Sequence, residues 1–587
     1  NIDQGRRSGT CKSCQKIVPW SRDRVAAHKR ATCPYATAEE KKYFAKRKHE
    51  SSSSSSSNNQ QQIDLSESFI QNDNTINDET KNDIDMKLAN FFYRSGISFR
   101  LIESAAFKDF VEALNPTYAA LLPNAKSLSG SLLDKQYTKC LTSMNDILDS
   151  HNNLTLITDG WTNVRGDHIV NYCIKSPNEK PLFYTSVNTS GTVQNASAVA
   201  SSIIEVLESL GPEKFNSIIS DNAPVMKAAW KIVEEKFPHI SANGCSAHGV
   251  NLPVKDILST PEASKTIKEA EKIIKFVRNH HIVKAKFDER RSAANIPHSL
   301  SMPVPTRWFS YFTSMSSLQN SKYALIKLAD EEYDLLKEIQ PKTTSAAVLN
   351  LIKSNVFWDR LIKVVKNIEF PSNIIGKLEN DEASLSVVYE YFGKLYKFFE
   401  DDENIQKKVK ARLDFLRTPS VGLSYILKPK NAAEGFYLGE DKTDFIAEAL
   451  DFAEKMNPDF AFIIQDELIN FLGDMASLPE KRKELIFKMT AKNYWNIIGH
   501  EKYPALSRIA KPLNEMISSS SAAERTWSTF SFIHSRLRNR LTNERVKKLV
   551  FLYTNSVLMD EKDKNDYILE EGAVLNEVEC DEINESM

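Results

Sequence analysis

The chain has 587 residues, of which 41% are apolar, and a formal net charge of −1. This length accommodates several domains, and the composition is that of a globular protein, which excludes a fibrous or wholly disordered chain. No apolar run reaches the roughly 18–20 residues that a membrane-spanning helix needs, so we expect no membrane partner. The chain opens on Asn1 without a secretory signal, from which we expect an intracellular protein that has lost N-terminal residues.

Charge is unevenly distributed along the chain. Residues 1–50 carry a net charge of +8, whereas residues 51–85 carry −6 and residues 558–587 carry −9. A basic segment beside an acidic one is typical of a polyanion-binding module on a tether. The acidic segments are also consistent with simple solvated, disordered chain, so we predict a disordered linker over 51–85 and an acidic tail over 558–587.

The first 50 residues contain four residues with the spacing of zinc ligands. Cys11 and Cys14 form a C-x2-C pair, and His28 and Cys33 follow as H-x4-C after thirteen intervening residues. This pattern predicts a closed tetrahedral site for structural Zn²⁺, which would supply roughly 10–16 kcal/mol to so small a unit. The alternative is a chance arrangement in a reduced tail. The neighbouring cations that we expect to contact DNA phosphates are Arg22, Arg24, Lys29 and Arg30.

A second basic run follows the predicted zinc site. It comprises Lys41, Lys42, Lys46, Arg47 and Lys48. Such a run either directs nuclear import or is plain solvated charge, and we expect a nuclear protein. The serine-, asparagine- and glutamine-rich linker comes next, and residues 86–150 show the three- and four-residue apolar spacing of helices, broken at Asn115-Pro116.

Residues 151–258 have the pattern of an α/β sheet with an acid after each of two strands. A strand over Leu154–Thr158 ends at Asp159, strands follow at 168–175 and 182–188, and a helix precedes a buried strand that ends at Asp221. Strand, strand, strand, helix, strand is the order of a ribonuclease-H-like sheet, in which the first and fourth strands are neighbours. The alternatives are a turn at Asp159-Gly160 and a helix N-cap at Asp221.

A third acid lies far downstream of these two. Residues 259–490 are rich in leucine, isoleucine, lysine and glutamate with few glycines, which predicts mostly helical structure, and residues 491–557 follow them. There Glu524 lies in the phrase Ser-Ser-Ser-Ala-Ala-Glu-Arg. Three converging carboxylates suit divalent metals that cleave a phosphodiester. The alternative is a capping box, in which Ser521 and Glu524 only begin a helix.

The three phrases LTLITDGWTN, SIISDNAPVMKAAW and SSSSAAERTWS resemble the hAT superfamily of cut-and-paste DNA transposases. The resemblance extends from Cys11 to Tyr553 and implies a BED-type zinc finger over 1–50 followed by a ribonuclease-H-like catalytic domain interrupted by a large all-helical insertion. It implies that Asp159, Asp221 and Glu524 form the catalytic triad and bind Mg²⁺ or Mn²⁺. We therefore expect strand cleavage and transfer on double-stranded DNA.

The resemblance also assigns roles outside the triad. In Cys245-Ser-Ala-His248 it implies a histidine close to the active site, the alternative being an ordinary core histidine. A Cys-x-x-His zinc site is rejected because no second pair follows at suitable spacing. In the phrase Pro-Thr-Arg307-Trp308 it implies a tryptophan that supports distorted DNA and an arginine that contacts phosphate, the alternative being a tryptophan buried between helices.

The C-terminal segment is expected to mediate homodimerisation. The apolar positions that fit such a surface are Val546, Leu549, Val550, Leu552 and Tyr553, and the alternative is packing within the chain. A domesticated, catalytically inactive zinc-finger protein that dimerises and binds DNA, acting as a transcription or chromatin factor, is the second functional hypothesis. A third is a dimeric scaffold that has lost its affinity for DNA.

Overall fold

A computed structural model describes residues 76–163, 165–304, 309–339, 341–435, 442–534 and 541–555, and the backbone of two short N-terminal strands. These strands, β1 (Ser8–Thr10) and β2 (Ile17–Pro19), pair antiparallel. The described residues divide into two compact units. The first unit contains the described residues of Asn1–Ile84 and Ala105–Leu122, and the second unit contains those of Asp85–Ser104 and Pro123–Met587.

The predicted zinc ligands and all six predicted DNA contacts lie outside the described residues. They are Cys11, Cys14, His28, Cys33, Arg22, Arg24, Lys29, Arg30, Arg307 and Trp308. The basic run at 41–48 and the acidic tail at 558–587 also lie outside them. These interpretations therefore stay predictions.

Helix α1 (Asp78–Arg94) begins inside the segment predicted as linker. Its first turn carries Asp78 and Glu79, acids that interact favourably with the positive end of a helix, so the linker prediction to residue 85 extends too far. In the first unit, α2 (Ala105–Leu114) and α3 (Pro116–Ala119) are separated at Asn115, whose side chain caps α3, as the Asn-Pro dipeptide predicts. In the second unit, a 3₁₀ turn at Phe99–Glu103 is followed by α4 (Ala125–Leu128) and α5 (Ser131–Asp149).

A five-stranded mixed sheet occupies the second unit. Its strands are β3 (Leu154–Thr162), β4 (His168–Lys175), β5 (Leu182–Asn188), β6 (Phe215–Ser220) and β7 (Ser241–Gly244), in the order β5-β4-β3-β6-β7. The first three strands pair antiparallel, whereas β3, β6 and β7 are parallel. The predicted adjacency of the first and fourth strands of this sheet is thus confirmed, and the arrangement is compatible with a ribonuclease-H-like domain.

Three helices connect the strands or leave the sheet. They are α6 (Ala196–Leu210), α7 (Pro224–Lys236) and α8 (Ser246–Leu258). The strand β6 is buried along its whole length, as its continuous apolar and small residues predict for a parallel strand covered on both faces.

Between residues 259 and 490 the described chain forms helices and turns, which agrees with the predicted all-helical insertion. Its first half contains α9 (Pro261–Asn279), α10 (His281–Ala293), α11 (Phe309–Asn320), α12 (Lys322–Glu331), α13 (Tyr333–Leu336), α14 (Lys342–Ile352) and α15 (Asn355–Leu378). A 3₁₀ turn at Leu385–Val387 opens its second half, which contains α16 (Val388–Phe398), α17 (Glu403–Leu416), α18 (Pro419–Ile426), α19 (Pro429–Glu434), α20 (Lys442–Met456), α21 (Ala461–Ala476) and α22 (Glu480–Ile486).

The insertion packs back onto the sheet through α8. A Cβ on Gly249 of α8 would lie 2.5 Å from Leu416 and 3.2 Å from Phe392, so this glycine permits α8 and α17 to approach closely. The buried core runs without a break from Cys245 at the end of β7 through Trp358 and Trp495. The last turn of α17 is thereby held beside the carboxyl end of β6.

The chain after the insertion returns to the sheet. It comprises α23 (Ala491–Tyr494), a π-helical turn at Trp495–Gly499, α24 (His500–Lys502), α25 (Pro504–Glu515), α26 (Ser521–Ile533) and α27 (Asn543–Thr554). None of the described helices has the length and apolar character needed to cross a membrane.

The apolar residues of α27 are buried inside the chain, which corrects their prediction as a dimerisation surface. The five positions Val546, Leu549, Val550, Leu552 and Tyr553 are each at most 9% exposed. Helix α27 packs against α5, α26 and β5: Phe551 contacts Tyr137 with ring centroids 4.9 Å apart, and Asn555 bonds to both backbone polar groups of Phe183. The alternative interpretation, packing within the chain, is correct: α27 packs on the edge strand β5.

Candidate active site

Asp159 lies within β3 rather than at its end. The strand continues to Thr162, and Asp159 pairs with Asn171 and Gly160 with Val170 of β4. The predicted strand end is therefore too early, and the alternative of an Asp-Gly turn is wrong. The antiparallel partner β4 extends the strand beyond the point where the apolar run stops.

Asp221 follows β6 directly, as predicted. Ile157 of β3 pairs in parallel with Ile219 of β6, and Asp159 and Asp221 each lie two residues further along their strands. Side chains two residues apart point to the same face, so the two acids lie at the same level of the sheet. The Asp221 carboxylate accepts a hydrogen bond from the backbone of Ala223 at 3.0 Å, and Ala223, not Asp221, is the N-cap of α7.

Glu524 is brought to this place by the docking of α26 on the sheet. The side chain of Asn171 donates to the carbonyl of Ala523 over 2.8 Å, and Cys173 contacts the hydroxyl of Thr526 at 3.7 Å. Both contacts join β4 to the first turns of α26. The carboxylate of Glu524 itself is exposed to solvent.

The capping-box alternative for Glu524 is wrong. The N-cap of α26 is Ser520, and its side chain makes no capping bond to the backbone. Glu524 therefore occupies the fourth helical position, one residue beyond the position that a capping box requires. The hydroxyl of Ser520 instead donates to Glu524 Oε1 in a long contact of 3.5 Å.

The three acids are electrostatically coupled. Burial, together with the negative charges of Glu524 and Asp221, raises the pKa of Asp159 from its ordinary value of 3.8 to about 7. The indole of Trp527 acts against them by donating to Asp159 Oδ2 at 2.7 Å, which lowers the pKa. A carboxyl group that titrates near neutral pH among other acids is typical of a functional site.

An aromatic cluster supports this arrangement. Trp161, two residues after Asp159 on the same face of β3, stacks on Trp527 with ring centroids 5.2 Å apart. Phe530, one turn further along α26, contacts both indoles and Phe183. The stack fixes the indole that holds Asp159.

Cys245 joins the end of β7 to the start of α26. Its buried sulfur accepts hydrogen bonds from the backbone of His248 and of Ser520, both at 3.4 Å. Burial, and after it the charge of Glu524, raises the pKa of this thiol to about 12. In the absence of a metal the buried thiol is therefore protonated and engaged by two backbone donors.

His248 lies on the first turn of α8, half-buried and close to Asp221. Burial lowers its pKa, the charge of Asp221 raises it, and the charges of Arg412 and Lys255 lower it. His248 and Asp221 also share a cavity of about 320 Å³. The sequence prediction that His248 is near the acids agrees with this position, and its role remains a prediction.

Among the described residues no group of three His, Cys, Asp or Glu side chains stands close enough to hold one metal ion. The donor chemistry nevertheless suits a hard divalent cation, because the acids offer only oxygen ligands and their mutual repulsion is what a cation would relieve. Glu524 is the most exposed of the three acids. Asp159 and Asp221 are held by hydrogen bonds from Trp527 and Ala223.

Sequence reasoning missed two residues of this site. Trp527 lies three residues after Glu524, so both residues are on one face of the helix. This spacing could have been recognised in the sequence. Arg412 reaches the site from the insertion, 191 residues after Asp221, and no local pattern predicts that contact. Of the residues expected to contact DNA, Arg307 and Trp308 lie outside the described ranges.

Two parts of the chain match family models. Residues 123–273, which include Asp159, Asp221 and His248, match a domain of unknown function, DUF659. Residues 469–556, which include Glu524, match the hAT family C-terminal dimerisation region. No curated protein matches the chain. Together the two matches support a relation to hAT-family transposases, and the second suggests self-association.

Proposed function

From the match of residues 469–556 to a hAT dimerisation region, we propose that this chain is a hAT-like DNA transposase or a protein derived from one. It binds double-stranded DNA and catalyses metal-dependent strand cleavage and transfer. The proposed catalytic residues are Asp159, Asp221 and Glu524. The observation that carries the proposal is geometric: Asp159 and Asp221 lie at the same level of two neighbouring parallel strands, and Trp527 ties the helix of Glu524 to Asp159 over 2.7 Å.

Each acid has a different part in the proposed reaction. Asp159 is oriented by Trp527 and holds a proton until the pH approaches 7 or a cation displaces it. Asp221 is fixed by the backbone of Ala223, and the exposed Glu524 would be the third ligand of the cation. A bound Mg²⁺ or Mn²⁺ would activate the attacking hydroxyl group and stabilise the leaving oxygen.

Further parts of the proposal concern the N-terminal segment. The segment 1–50 carries a net charge of +8, which favours contact with DNA phosphates. We propose a structural Zn²⁺ on Cys11, Cys14, His28 and Cys33, in a BED-type finger, and a nuclear location. These proposals rest on ligand spacing and charge.

Self-association is proposed to occur as a homodimer through the C-terminal region. The apolar residues of α27 are buried in the chain, so the contact must use other residues of the matched region. Ile497, on the π-helical turn, is 60% exposed and belongs to that region. An exposed isoleucine is one of the apolar side chains that a partner copy could cover.

The test is cleavage of supercoiled plasmid DNA by the full chain with Mn²⁺ or Mg²⁺. We expect nicking by the wild-type protein, loss of nicking in Asp221→Asn, and unchanged nicking in Asp149→Asn. Asp149 is a matched control because it forms a surface ion pair with Lys214 outside the acid cluster. DNA binding without any cleavage by the wild-type chain would refute the enzyme and favour a non-catalytic DNA-binding protein.

A further inference from the structure

The cavity of about 320 Å³ beside Asp221 has a wall that the insertion provides. Asp221, Ala223 and His248 line it from the sheet side, and Arg412 and Phe415 line it from α17. A pocket of this size is at the small end of the roughly 300–1,000 Å³ typical of ligand sites. The cavity therefore joins the proposed reaction centre to a helix that a minimal sheet domain would lack.

Arg412 is the cation of this wall. Its side chain is half-buried, and within the described ranges its guanidinium forms no hydrogen bond or ion pair. Other cations of the same segment are paired: Lys408 lies 3.5 Å from Asp256, and Arg417 lies 3.0 Å from Glu448. A half-buried arginine that has no anionic partner among the described residues is suited to an anion from outside.

The surroundings of the cavity carry further positive charge. The Nζ of Lys227 lies 3.6 Å from the centroid of Phe415, so a second cation stands at the same wall. The charges of Arg412 and Lys255 both act on His248. Asp221 is the one acid among the residues that line the cavity. Positive charge therefore exceeds negative charge around the cavity. This excess favours an anionic ligand that lies beside Asp221 but is bound by the cations.

We propose that the cavity binds a phosphodiester group of a DNA strand, with the guanidinium of Arg412 donating to the phosphate oxygens next to Asp221. The planar fork of arginine matches two phosphate oxygens, and Phe415 and Leu416 give the adjoining sugar an apolar surface. Arg412 thus acts as a positioning residue that the insertion contributes to the site. The inference rests on the proposed function, because it assumes that a DNA strand passes the acids.

The experiment measures the salt dependence of DNA binding by the full chain without Mg²⁺ or Mn²⁺, so that cleavage plays no part. The probe is a fluorescein-labelled duplex of mixed sequence, followed by fluorescence anisotropy, with a single strand as a second probe. Arg412→Ala is expected to weaken binding about tenfold at about 0.1 M salt and to lower the slope of log K against log salt by about 0.9 on duplex or 0.7 on single strand.

Lys410→Ala is the matched control, since Lys410 is exposed on the same helix and does not line the cavity. It is expected to leave the slope unchanged. Arg412→Gln removes the charge but retains the aliphatic stem and a polar end, and it must reproduce the loss seen with alanine, which guards against misfolding. Inorganic phosphate should compete no better than sodium chloride of equal ionic strength, because an isolated phosphate lacks the rest of the strand.

Three results would overturn the inference. They are an unchanged slope in both Arg412 variants, an equal change of slope in Lys410→Ala, and a wild-type chain that binds no DNA. Its failure is distinguishable from that of the proposed function. A wild-type chain that cleaves plasmid while Arg412→Ala keeps its slope refutes the phosphate site alone. A lowered slope in a chain that never cleaves DNA supports the phosphate site and refutes the nuclease.

Discussion

The indole of Trp527 donates a hydrogen bond to Oδ2 of Asp159 over 2.7 Å, joining the helix that carries Glu524 to the central strand of the sheet. The same bond opposes the burial and the neighbouring charges that raise the pKa of Asp159 to about 7. Trp527 therefore controls the protonation of Asp159 as well as its orientation.

Replacing Trp527 by phenylalanine removes this donor and keeps an aromatic ring. Because the bond lowers the pKa of Asp159, its loss raises that pKa, and the acid limb of the pH–rate profile for Mn²⁺-dependent cleavage is expected to move to higher pH. The rate at pH 6.5 should fall several-fold, and the free energy of unfolding by about 1–3 kcal/mol. Plasmid nicking measured across pH gives the profile.

Trp161→Phe is the control for this prediction. Trp161 stacks on Trp527 but the bond to Asp159 comes from the Trp527 indole alone. The control is expected to lower stability without moving the acid limb. Equal profiles for wild type and Trp527→Phe would contradict the proposed role of the indole.

Asp159 is also expected to make metal-free stability depend on pH. Its folded pKa of about 7 lies above the ordinary 3.8, so the folded state retains a proton that the unfolded state has lost between these values. Stability then falls as the pH rises from about 4 to 7. Asp159→Asn removes this pH-dependent loss of stability. Relative to wild type, the free energy of unfolding of the variant should therefore rise by about 2 kcal/mol between pH 5 and pH 8.

Denaturant unfolding in EDTA at both pH values measures this gain. Asp149→Asn, on the surface beside Lys214, is the control and should differ from wild type equally at pH 5 and pH 8. An advantage of Asp159→Asn that is the same at both values would show that burial and charge do not act on this carboxyl group as described.

The strand pattern around Asp159 and Asp221 was readable from the sequence because parallel, buried strands require continuous apolar runs. The predicted strands at 168–175 and 182–188 agree with β4 and β5. The end of β3 was placed too early because the apolar run stops at Asp159. The residues that follow continue the strand by pairing with β4, and this pairing cannot be recognised within the strand's own sequence. Sequence periodicity reports burial and not pairing.

The site was only partly readable for the same reason. The phrases around Asp159, Asp221 and Glu524 indicated which acids belong together, but not that Cys245 accepts a hydrogen bond from the backbone of Ser520 or that Arg412 lines the same cavity as Asp221. Both contacts join segments that are more than 150 residues apart. The burial of α27 was ambiguous because an amphipathic helix has the same pattern on a dimer interface and in a core.

Metal binding is expected to depend on Glu524 and on pH. Carboxylates must be deprotonated to bind a cation, so Mn²⁺ should raise the Tm of the wild-type chain more at pH 8 than at pH 6. Glu524→Gln removes one ligand and also lowers the pKa of Asp159, whose pKa the Glu524 charge raises. The Mn²⁺-induced shift in Tm should therefore shrink in this variant, and it should shrink least at pH 6.

Thermal unfolding with and without Mn²⁺ measures these shifts. Glu484→Gln, exposed on α22, removes a carboxylate that has no part in the cluster and should keep the full shift. A Glu524→Gln protein with the wild-type response to Mn²⁺ would exclude Glu524 from the proposed ligand set.

Cys245 is expected to stabilise the junction between β7 and α26 through its sulfur. Cys245→Ala leaves the backbone donors of His248 and Ser520 without an acceptor, which should lower the free energy of unfolding by about 1–3 kcal/mol. Cys245→Ser retains an acceptor and should lose less. Since burial raises the pKa of this thiol to about 12, a thiol reagent should not modify it in the native protein. Rapid modification, or an alanine variant of wild-type stability, would contradict this role.

The last prediction separates the core from the self-association surface. Leu552 is fully buried in the chain, so Leu552→Ala should lower the free energy of unfolding by about 2–5 kcal/mol at every protein concentration. Ile497→Ser changes an exposed residue of the matched region and should alter stability by less than about 0.5 kcal/mol while weakening self-association. Denaturation at two protein concentrations and sedimentation velocity measure both effects. A Leu552→Ala protein that is a monomer of wild-type stability would contradict the burial of Leu552 within the chain and favour the dimerisation surface first predicted from α27, because truncation of a core leucine must lower monomer stability.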